Sequence, residues 1–243
     1  MSKIYNEYLK LKYSKLKYFV YIGVALAPVS LLLLVVIINS DNSHNNVTYL
    51  EYMSLILKFI ISVLSLTLYN WLAGELVAVE FRLDTFKSQV TIPVSRGSFL
   101  FTKLSFISIL VVMMTLTSFI LGVVIALVLN FSGFSFEITL KLLPVYLKSS
   151  FLVLPFTYFT VMLIVWFRTS LAPMIVNLMI FALTIVVRNF NLYAIFPWSA
   201  PYRIIFISSD YGNFTLGNSY FAIFILGIIS MYLANNRINK MEI

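Results

Sequence analysis

Side chains able to do chemistry are few in this sequence, and they form no recognisable catalytic set. His44 is the single histidine and lies in the polar stretch NSDNSHNN, where we interpret it as a solvated loop residue. Cysteine is absent, which excludes a thiolate nucleophile, a thiolate metal site and a disulfide framework. The sequence has no HExxH motif and no converging pair of carboxylates in an apolar segment. We therefore expect no catalytic, cofactor-binding or metal-binding residue.

A nucleotide-binding motif is also missing. The pattern GxxxxGK[ST], whose backbone cradles phosphate groups, does not occur in the sequence. If the function needs ATP, we expect a separate polypeptide to bind it.

One polar stretch stands out from its apolar surroundings: EFRLDTFKSQVTIPVSRGSFLFTK, from Glu80 to Lys103. Apolar residues recur within and just before it at intervals of four, three and four, namely Val79, Leu83, Phe86 and Val90. This spacing predicts one apolar stripe of a helix, with charged residues such as Glu80, Asp84 and Lys87 on another face. We expect Asp84 to pair with Lys87 or to be offset by Arg82.

A proline divides this stretch. Pro93 should end the first helix, because Ile92 before it is disfavoured in the helical conformation. Ser95 is a suitable N-cap for a second helix that begins at Arg96. The stretch therefore predicts a helix, a sharp turn and a second helix.

The composition places these elements beside a membrane. The chain has 243 residues, 61% of them hydrophobic and only 11% charged, with a mean hydropathy of +0.97. Soluble domains carry about 25% charged residues. We therefore predict an all-α integral membrane protein with one transmembrane domain over residues 1–243.

Six apolar runs approach the roughly 20 residues that a membrane-spanning helix needs. They are Phe19 to Ile38, Met53 to Gly74, Leu104 to Leu129, Ser149 to Phe167, Leu171 to Val187 and Ser219 to Ala234. The last two are short. The polar stretch lies between the second and the third run.

The distribution of lysine and arginine predicts the orientation. The loop of residues 39–52 contains neither residue type. Basic residues concentrate instead in the segments on the other side: Lys3, Lys10, Lys12, Lys15, Lys17, Arg82, Lys87, Arg96, Lys103, Arg168, Arg237 and Lys240. By the positive-inside rule, both termini and the polar stretch are cytoplasmic.

The first 18 residues, MSKIYNEYLKLKYSKLKY, contain five lysines and one acidic residue. Ile4, Tyr8, Leu11 and Tyr18 recur at helix-like intervals. This pattern is typical of an amphipathic helix in the membrane interface, and its lysines suit anionic lipid better than nucleic acid. No signal-peptide cleavage site follows, so we expect a retained anchor.

Charges inside the apolar runs usually mark function. Glu75 and Arg168 lie at inner ends, and Lys58, Lys141 and Lys148 lie near outer ends, where all five can reach an interface. No titratable group is stranded at mid-membrane, which argues against a proton- or sodium-coupled carrier.

The segment between the fifth and sixth runs, residues 188–218, is rich in aromatic residues and has two prolines. Aromatic side chains favour the membrane interface. Arg188 and Arg203 would meet anionic headgroups or steer a charged cargo.

The polar stretch resembles the first cytoplasmic loop of the ABC type-2 exporter permeases. Glu80, Thr85, the run Pro93-Val94-Ser95-Arg96, and Lys103 match that family's pattern, whereas Asp84 stands where glycine is usual and Lys87 where glutamate is common. Ser88 and Gln89 replace common leucines. The number of spans, the cytoplasmic termini, the basic N-terminal helix and the length also match.

The resemblance implies a coupling helix within residues 75–103 that docks on a separate ATPase, which would hold ATP and magnesium. The residues implied in coupling are Glu80, Arg82, Asp84, Thr85, Phe86, Lys87, Pro93, Ser95 and Arg96. The outer segment would form short helices that shape the substrate exit, with Phe190, Tyr193, Phe196, Trp198, Tyr202 and Arg203. Two copies of this chain, or this chain with a related permease, would line the path.

The resemblance further implies export of an amphipathic substrate through a bacterial plasma membrane. Peptide toxins and antimicrobial peptides, such as bacteriocins, lantibiotics and phenol-soluble modulins, come first, and lipid-linked compounds and drugs remain open. The alternative is an ATPase-independent membrane protein: a channel, a lipid-interacting factor or a secondary carrier. An intramembrane enzyme comes last.

Overall fold

The structure is a computed structural model, and it describes residues 3–40, 47–82, 96–187, 190, 195–207 and 215–240. These residues form helices and connecting turns, without a strand in any of the described ranges. The helices are α1 (Lys3–Tyr13), α2 (Leu16–Ser40), α3 (Tyr49–Phe59), a π-helical segment (Ile60–Tyr69), α4 (Asn70–Arg82), α5 (Arg96–Val128), α6 (Phe136–Phe167), α7 (Leu171–Val187), a 3₁₀ turn (Pro197–Ser199), α8 (Ala200–Phe206) and α9 (Leu216–Asn239).

Five helical stretches are long and apolar enough to cross a membrane, which confirms a multi-pass membrane protein. They are Leu16–Ile37, Tyr49–Arg82, Gly97–Val128, Phe136–Phe167 and Leu216–Asn239. The fifth predicted span, Leu171 to Val187, is present as α7, an apolar helix of 17 residues that is shorter than those five. The prediction that the last span is short is wrong, since α9 has 24 residues.

The helix boundaries have local causes. Thr48 caps α3, because its hydroxyl accepts from the Glu51 N–H while the Glu51 carboxylate accepts from the Thr48 N–H at 2.8 Å. Arg168 ends α6 in the left-handed conformation, with φ of 56°. As predicted, α5 begins at Arg96.

The bundle has two distinguishable ends. We call the end at which α4 ends and α5 begins the loop end, because residues 83–95 connect them there. A Cβ atom on Gly97, near the start of α5, would lie 3.3 Å from Oδ1 of Asn235 in α9, so α9 ends there too. Arg237 of α9 lies over the ring of Trp166 near the end of α6, 5.6 Å from its centroid, so α6 ends at the same place. At the far end, the Tyr49 N–H donates to the Ser132 carbonyl at 3.0 Å.

A proline determines how α2 packs. Pro28 has no N–H, so the carbonyl of Val24 four residues earlier loses its helical donor. The Ser118 hydroxyl of α5 donates to that carbonyl at 2.7 Å, and the Tyr52 hydroxyl of α3 donates to the Pro28 carbonyl at 2.9 Å. Since lipid offers no hydrogen bonds, these contacts fix α2 against α3 and α5.

The close packing of α2 also depends on a glycine. A Cβ atom on Gly23 would lie 2.5 Å from Cε of Met114 and 2.7 Å from Cδ2 of Leu68. Small residues allow this approach between membrane helices.

We therefore predict a graded response at Gly23. Gly23→Ala should be tolerated, because the contacting atoms are the ends of flexible side chains. Gly23→Ile should lower the stability by about 1–3 kcal/mol through overpacking. Thermal unfolding in detergent measures this, with Ile22→Leu on the neighbouring exposed position as the control. Equal stability of Gly23→Ile and that control would contradict the packing.

Candidate functional site

The loop end contains a cluster of ionised side chains from three helices, which we call the charge cluster: Glu7 and Lys10 of α1, Glu80 of α4 and Lys103 of α5. The Lys103 ammonium donates to Glu7 Oε2 at 2.5 Å and to Glu80 Oε1 at 2.7 Å. The Lys10 ammonium reaches Glu80 Oε1 at 2.7 Å and Glu7 Oε1 at 3.2 Å. Two carboxylates are therefore bridged by two ammonium groups.

Lys103 is the most deeply placed member of the cluster. Its side chain is 2% exposed. An ammonium group has three donors, and the carbonyl of Leu76 accepts the third at 3.2 Å. The ring of Phe99 lies 5.8 Å from the ammonium and adds a cation–π contact. A buried lysine stays charged only with such partners.

Lys10 lies at the exposed edge of the cluster. Burial lowers the pKa of its ammonium, but the bonds and charges of Glu80 and Glu7 outweigh that effect, so the pKa is raised above its ordinary value. The ion pairs of Lys10 therefore contribute fully to stability at neutral pH. Their contribution is lost only as the pH rises through the raised pKa of Lys10.

The charge cluster joins both flanks of residues 83–95 to α1. Glu80 lies two residues before the end of α4, and Lys103 lies in the second turn of α5. A second contact connects the same helices, since the Lys3 ammonium donates to the Ser98 hydroxyl at 2.6 Å. The first helix is therefore attached to the two places where the polar loop leaves and re-enters the bundle.

The structure corrects the expected position of Glu80. The sequence placed it on a charged face open to a partner, but the residue is only 4% exposed because its carboxylate pairs with Lys103 and Lys10. The role of Glu80 in coupling stays a prediction. In that role Glu80 would position the loop and would not contact the ATPase directly.

The remaining predicted coupling residues are less constrained by the structure. Arg82 is exposed and pairs with Glu75 of its own helix. Arg96 is the first residue of α5. The others lie outside the described residues: Asp84, Thr85, Phe86, Lys87, Pro93 and Ser95.

The face that α1 buries also differs from the predicted stripe. Glu7 and Leu11 are buried, whereas Ile4, Tyr8 and Tyr18 are exposed. Leu11 of the predicted stripe therefore packs on the bundle together with Glu7, whereas the other three residues of the stripe stay exposed.

Three of the predicted exit residues, Phe196, Trp198 and Tyr202, pack against the bundle part-way along its length, and Trp198 lies beside Phe156 and Phe159 in the second half of α6. Trp198 is surrounded by rings, with Phe196 and Phe159 both 5.3 Å away between centroids. Tyr202 contacts Phe206 at 5.1 Å. Phe190 is exposed, and Tyr193 lies outside the described residues.

Arg203 does not face lipid or cargo as the sequence predicted. The residue is 0% exposed, and its Nη1 donates to the Ser219 hydroxyl at 3.0 Å and to the Thr215 carbonyl at 3.4 Å. A buried guanidinium needs such acceptors. Arg203 therefore holds α8 to the start of α9.

Comparison with known proteins gives the same picture of a helical membrane subunit. The family model described as "ABC-2 family transporter protein" matches residues 3–184. The chain belongs to the ABC-2 transporter family. It is also 28% identical over 150 residues to the bacitracin transport permease protein BCRB of Bacillus licheniformis, an alignment that covers 60% of this chain and 70% of that protein.

Membership of the ABC-2 family makes this chain a membrane-spanning permease of an ABC exporter rather than an enzyme. Such permeases work with an ABC ATPase and as dimers. The matched region contains the charge cluster, four of the six predicted spans in full and most of the fifth.

The ABC-2 permease has a second polar group inside the bundle, which the sequence analysis missed. We call it the amide cluster: Asn70 of α4, Thr160 of α6 and Asn177 of α7. The Asn70 amide donates to Asn177 Oδ1 at 3.2 Å, and the Asn177 amide donates to the Thr160 hydroxyl at 3.0 Å. The available signal was one asparagine in each of two apolar runs, since asparagine in a membrane helix seeks a partner on another helix.

Glu7 was also missed, although it is the only acidic residue among the five N-terminal lysines. The sequence cannot show that its partner is 96 residues away.

We predict that removing one ammonium group from the buried charge cluster lowers the stability of the permease much more than breaking an exposed ion pair does. Lys103→Met leaves two buried carboxylates with one ammonium less, which should lower the stability by about 3–5 kcal/mol. The matched control is Lys141→Met, because Lys141 pairs with Glu137 at 2.5 Å with both side chains exposed. That variant should change little.

Thermal unfolding of both variants in detergent is the measurement. Adding Glu80→Gln to Lys103→Met should recover part of the loss, since it removes one of the two carboxylates. The cluster has no such role if both lysine variants unfold at the same temperature.

Proposed function

We propose that this ABC-2 permease exports an amphipathic substrate, namely a peptide toxin or an antimicrobial peptide. A separate ATPase drives it through the loop of residues 75–103. ATP and magnesium would bind to that ATPase. The permease would work in a bacterial plasma membrane with both termini cytoplasmic, as a pair with itself or with a related chain.

The observation that carries the proposal is the charge cluster at the loop end. An ATPase that pulls on residues 83–95 must move the helix ends on either side. Those ends contain Glu80 in α4 and Lys103 in α5. Because buried charges are costly to separate, α4 and α5 move together and take α1 with them. A local pull on the loop then becomes a movement of three helices.

The contact surface for the ATPase would come from residues near the loop that are not part of the charge cluster. Arg82 is exposed at the end of α4. The loop residues Asp84, Thr85, Phe86 and Lys87 would form the docking helix, and Pro93, Ser95 and Arg96 would form the turn into α5. Asp84 and Lys87 depart from the family pattern, so we expect a matching specialised groove on the ATPase.

Support for a peptide substrate comes from the relative. The Bacillus protein is named as a bacitracin transport permease, and we infer a substrate of the same class for this chain. The aromatic residues predicted for the exit, Phe190, Tyr193, Phe196, Trp198 and Tyr202, would shape a path for an amphipathic molecule. Arg203 would hold that region in place from within.

Co-purification tests the coupling proposal. The permease is expressed with the ATPase encoded beside it and purified through a tag on the permease. Arg82→Glu combined with Phe86→Ala should reduce the retained ATPase by at least about tenfold, because docking energy concentrates in a few residues. Lys141→Glu is the matched control, since that residue is exposed near the far end and should leave retention unchanged.

Loss of ATPase with normal membrane insertion would support the loop assignment. If the double variant retains as much ATPase as the unaltered permease, the loop assignment is refuted. If the unaltered permease retains no ATPase, the tested ATPase is not its partner. Stimulation of ATP hydrolysis by candidate peptides in the reconstituted complex then identifies the substrate.

A further inference from the structure

An open pocket of about 280 Å³ lies between α2, the π-helical segment, α4, α6 and α7. Its apolar lining includes Phe19, Trp71 and Met174, and the amide cluster forms the polar part of its wall. The volume is at the lower limit of ligand sites in proteins, so it admits one segment of a molecule.

The amide cluster is not saturated. Asn70 is 0% exposed, and its Oδ1 atom has no hydrogen-bond partner within the described part of the chain. Asn177 donates to the Thr160 hydroxyl, and neither residue donates to Oδ1 of Asn70. Asn70 is one of the residues that line the pocket, and in a bilayer no water compensates for its Oδ1 acceptor. Because the atom is covered, a donor that enters the pocket reaches it when the Asn70 side chain turns toward the pocket.

The backbone around Asn70 is also unusual. The ten residues before it, Ile60–Tyr69, form a π-helix, which is rare and concentrates at functional sites. Gly74 lies one turn further along α4, and a Cβ atom there would be 2.8 Å from Cδ1 of Ile164. The absence of a side chain at Gly74 therefore keeps this wall of the pocket thin.

The lining also restricts the charge of a ligand. Among the described residues that line the pocket, none is Asp, Glu, Lys or Arg. An ionised group would have no counter-charge there and would be costly at this depth. The part of the ligand that enters is uncharged, apolar along most of its length and carries a hydrogen-bond donor.

The pocket lies near the loop end of the bundle. Asn177 is six residues from Leu171, where α7 begins, so it lies about 9 Å along the helix from that end. With the predicted orientation, this depth corresponds to the cytoplasmic half of the bilayer. A molecule inserted in the inner leaflet can reach it sideways.

We propose that this pocket binds the uncharged donor-bearing segment of an amphiphile, with a hydroxyl group that donates to Oδ1 of Asn70. As the entry site for exported molecules, the pocket rests on the proposed function. As a binding site, it does not require the ATPase.

Photolabelling of the purified permease tests the site. The probe is a monoacylglycerol with a photoreactive diazirine in its acyl chain, and its dimethyl ether is the matched probe without a donor. Both are added to permease in phosphatidylcholine nanodiscs without ATPase. We expect saturable labelling of α4 and α7 peptides, with the ether labelling roughly 2- to 10-fold less, as the loss of one hydrogen bond implies.

Three variants locate the contact. Asn70→Leu removes the acceptor with little change in volume and should abolish the preference for the hydroxyl probe. Thr184→Val is the control on α7 outside this pocket, because the Thr184 hydroxyl donates to the Ile180 carbonyl at 2.8 Å, and it should keep that preference. Met174→Trp fills the pocket from an exposed position and should block labelling by both probes.

Equal labelling by the two probes, or a preference that survives Asn70→Leu, would reduce the pocket to a groove for lipid chains and overturn the proposal. Unchanged labelling of Met174→Trp would overturn it as well, and this variant remains informative if Asn70→Leu does not fold. Donor-dependent labelling of a permease that retains no ATPase would support the site while the coupling proposal fails.

Discussion

The buried ammonium group of Lys103 is the constraint on which the loop end of the permease depends. It uses its three donors on Glu7 of α1 and on Glu80 and the Leu76 carbonyl of α4. A charge at this depth is tolerated only while these acceptors stay in reach. The positions of α1, α4 and α5 are therefore specified together, and the polar loop of residues 83–95 starts and ends on helices that cannot shift independently.

The same principle determines the packing elsewhere in the bundle. Apolar side chains gain little by leaving lipid for protein, so polar groups decide which membrane helices are neighbours. Pro28 leaves the Val24 carbonyl without its helical donor, and the Ser118 hydroxyl supplies one from α5. The buried Arg203 guanidinium donates to the Ser219 hydroxyl and to the Thr215 carbonyl. Glycine then sets how closely the helices approach, as Gly23 shows beside Met114 and Leu68.

The sequence predicts what is local and misses what depends on distant partners. The apolar runs and the start of α5 at Arg96 follow from composition and turn residues close by. The length of α9 does not, because its last residues, Asn235 to Asn239, are mostly polar and stay helical beyond the apolar run. The burial of Glu80 and Arg203 is set by Lys103 and Ser219, which no local pattern connects to them.

The two polar clusters are connected by one helix. Asn70 is the first residue of α4 and Glu80 its eleventh, so about 15 Å of regular helix separates the pocket from the charge cluster. The charge cluster engages all three donors of Lys103, whereas the amide cluster leaves the Asn70 Oδ1 atom without a partner in the described residues. The charge cluster therefore fixes the positions of α1, α4 and α5, whereas the amide cluster still has an acceptor for a ligand. Because α4 is stiff along its axis, a pull on its Glu80 end would displace Asn70 as well, and the wider π-helical turns of Ile60–Tyr69, just before Asn70, would absorb that displacement. In this arrangement, a cytoplasmic ATPase would alter the pocket without contacting it.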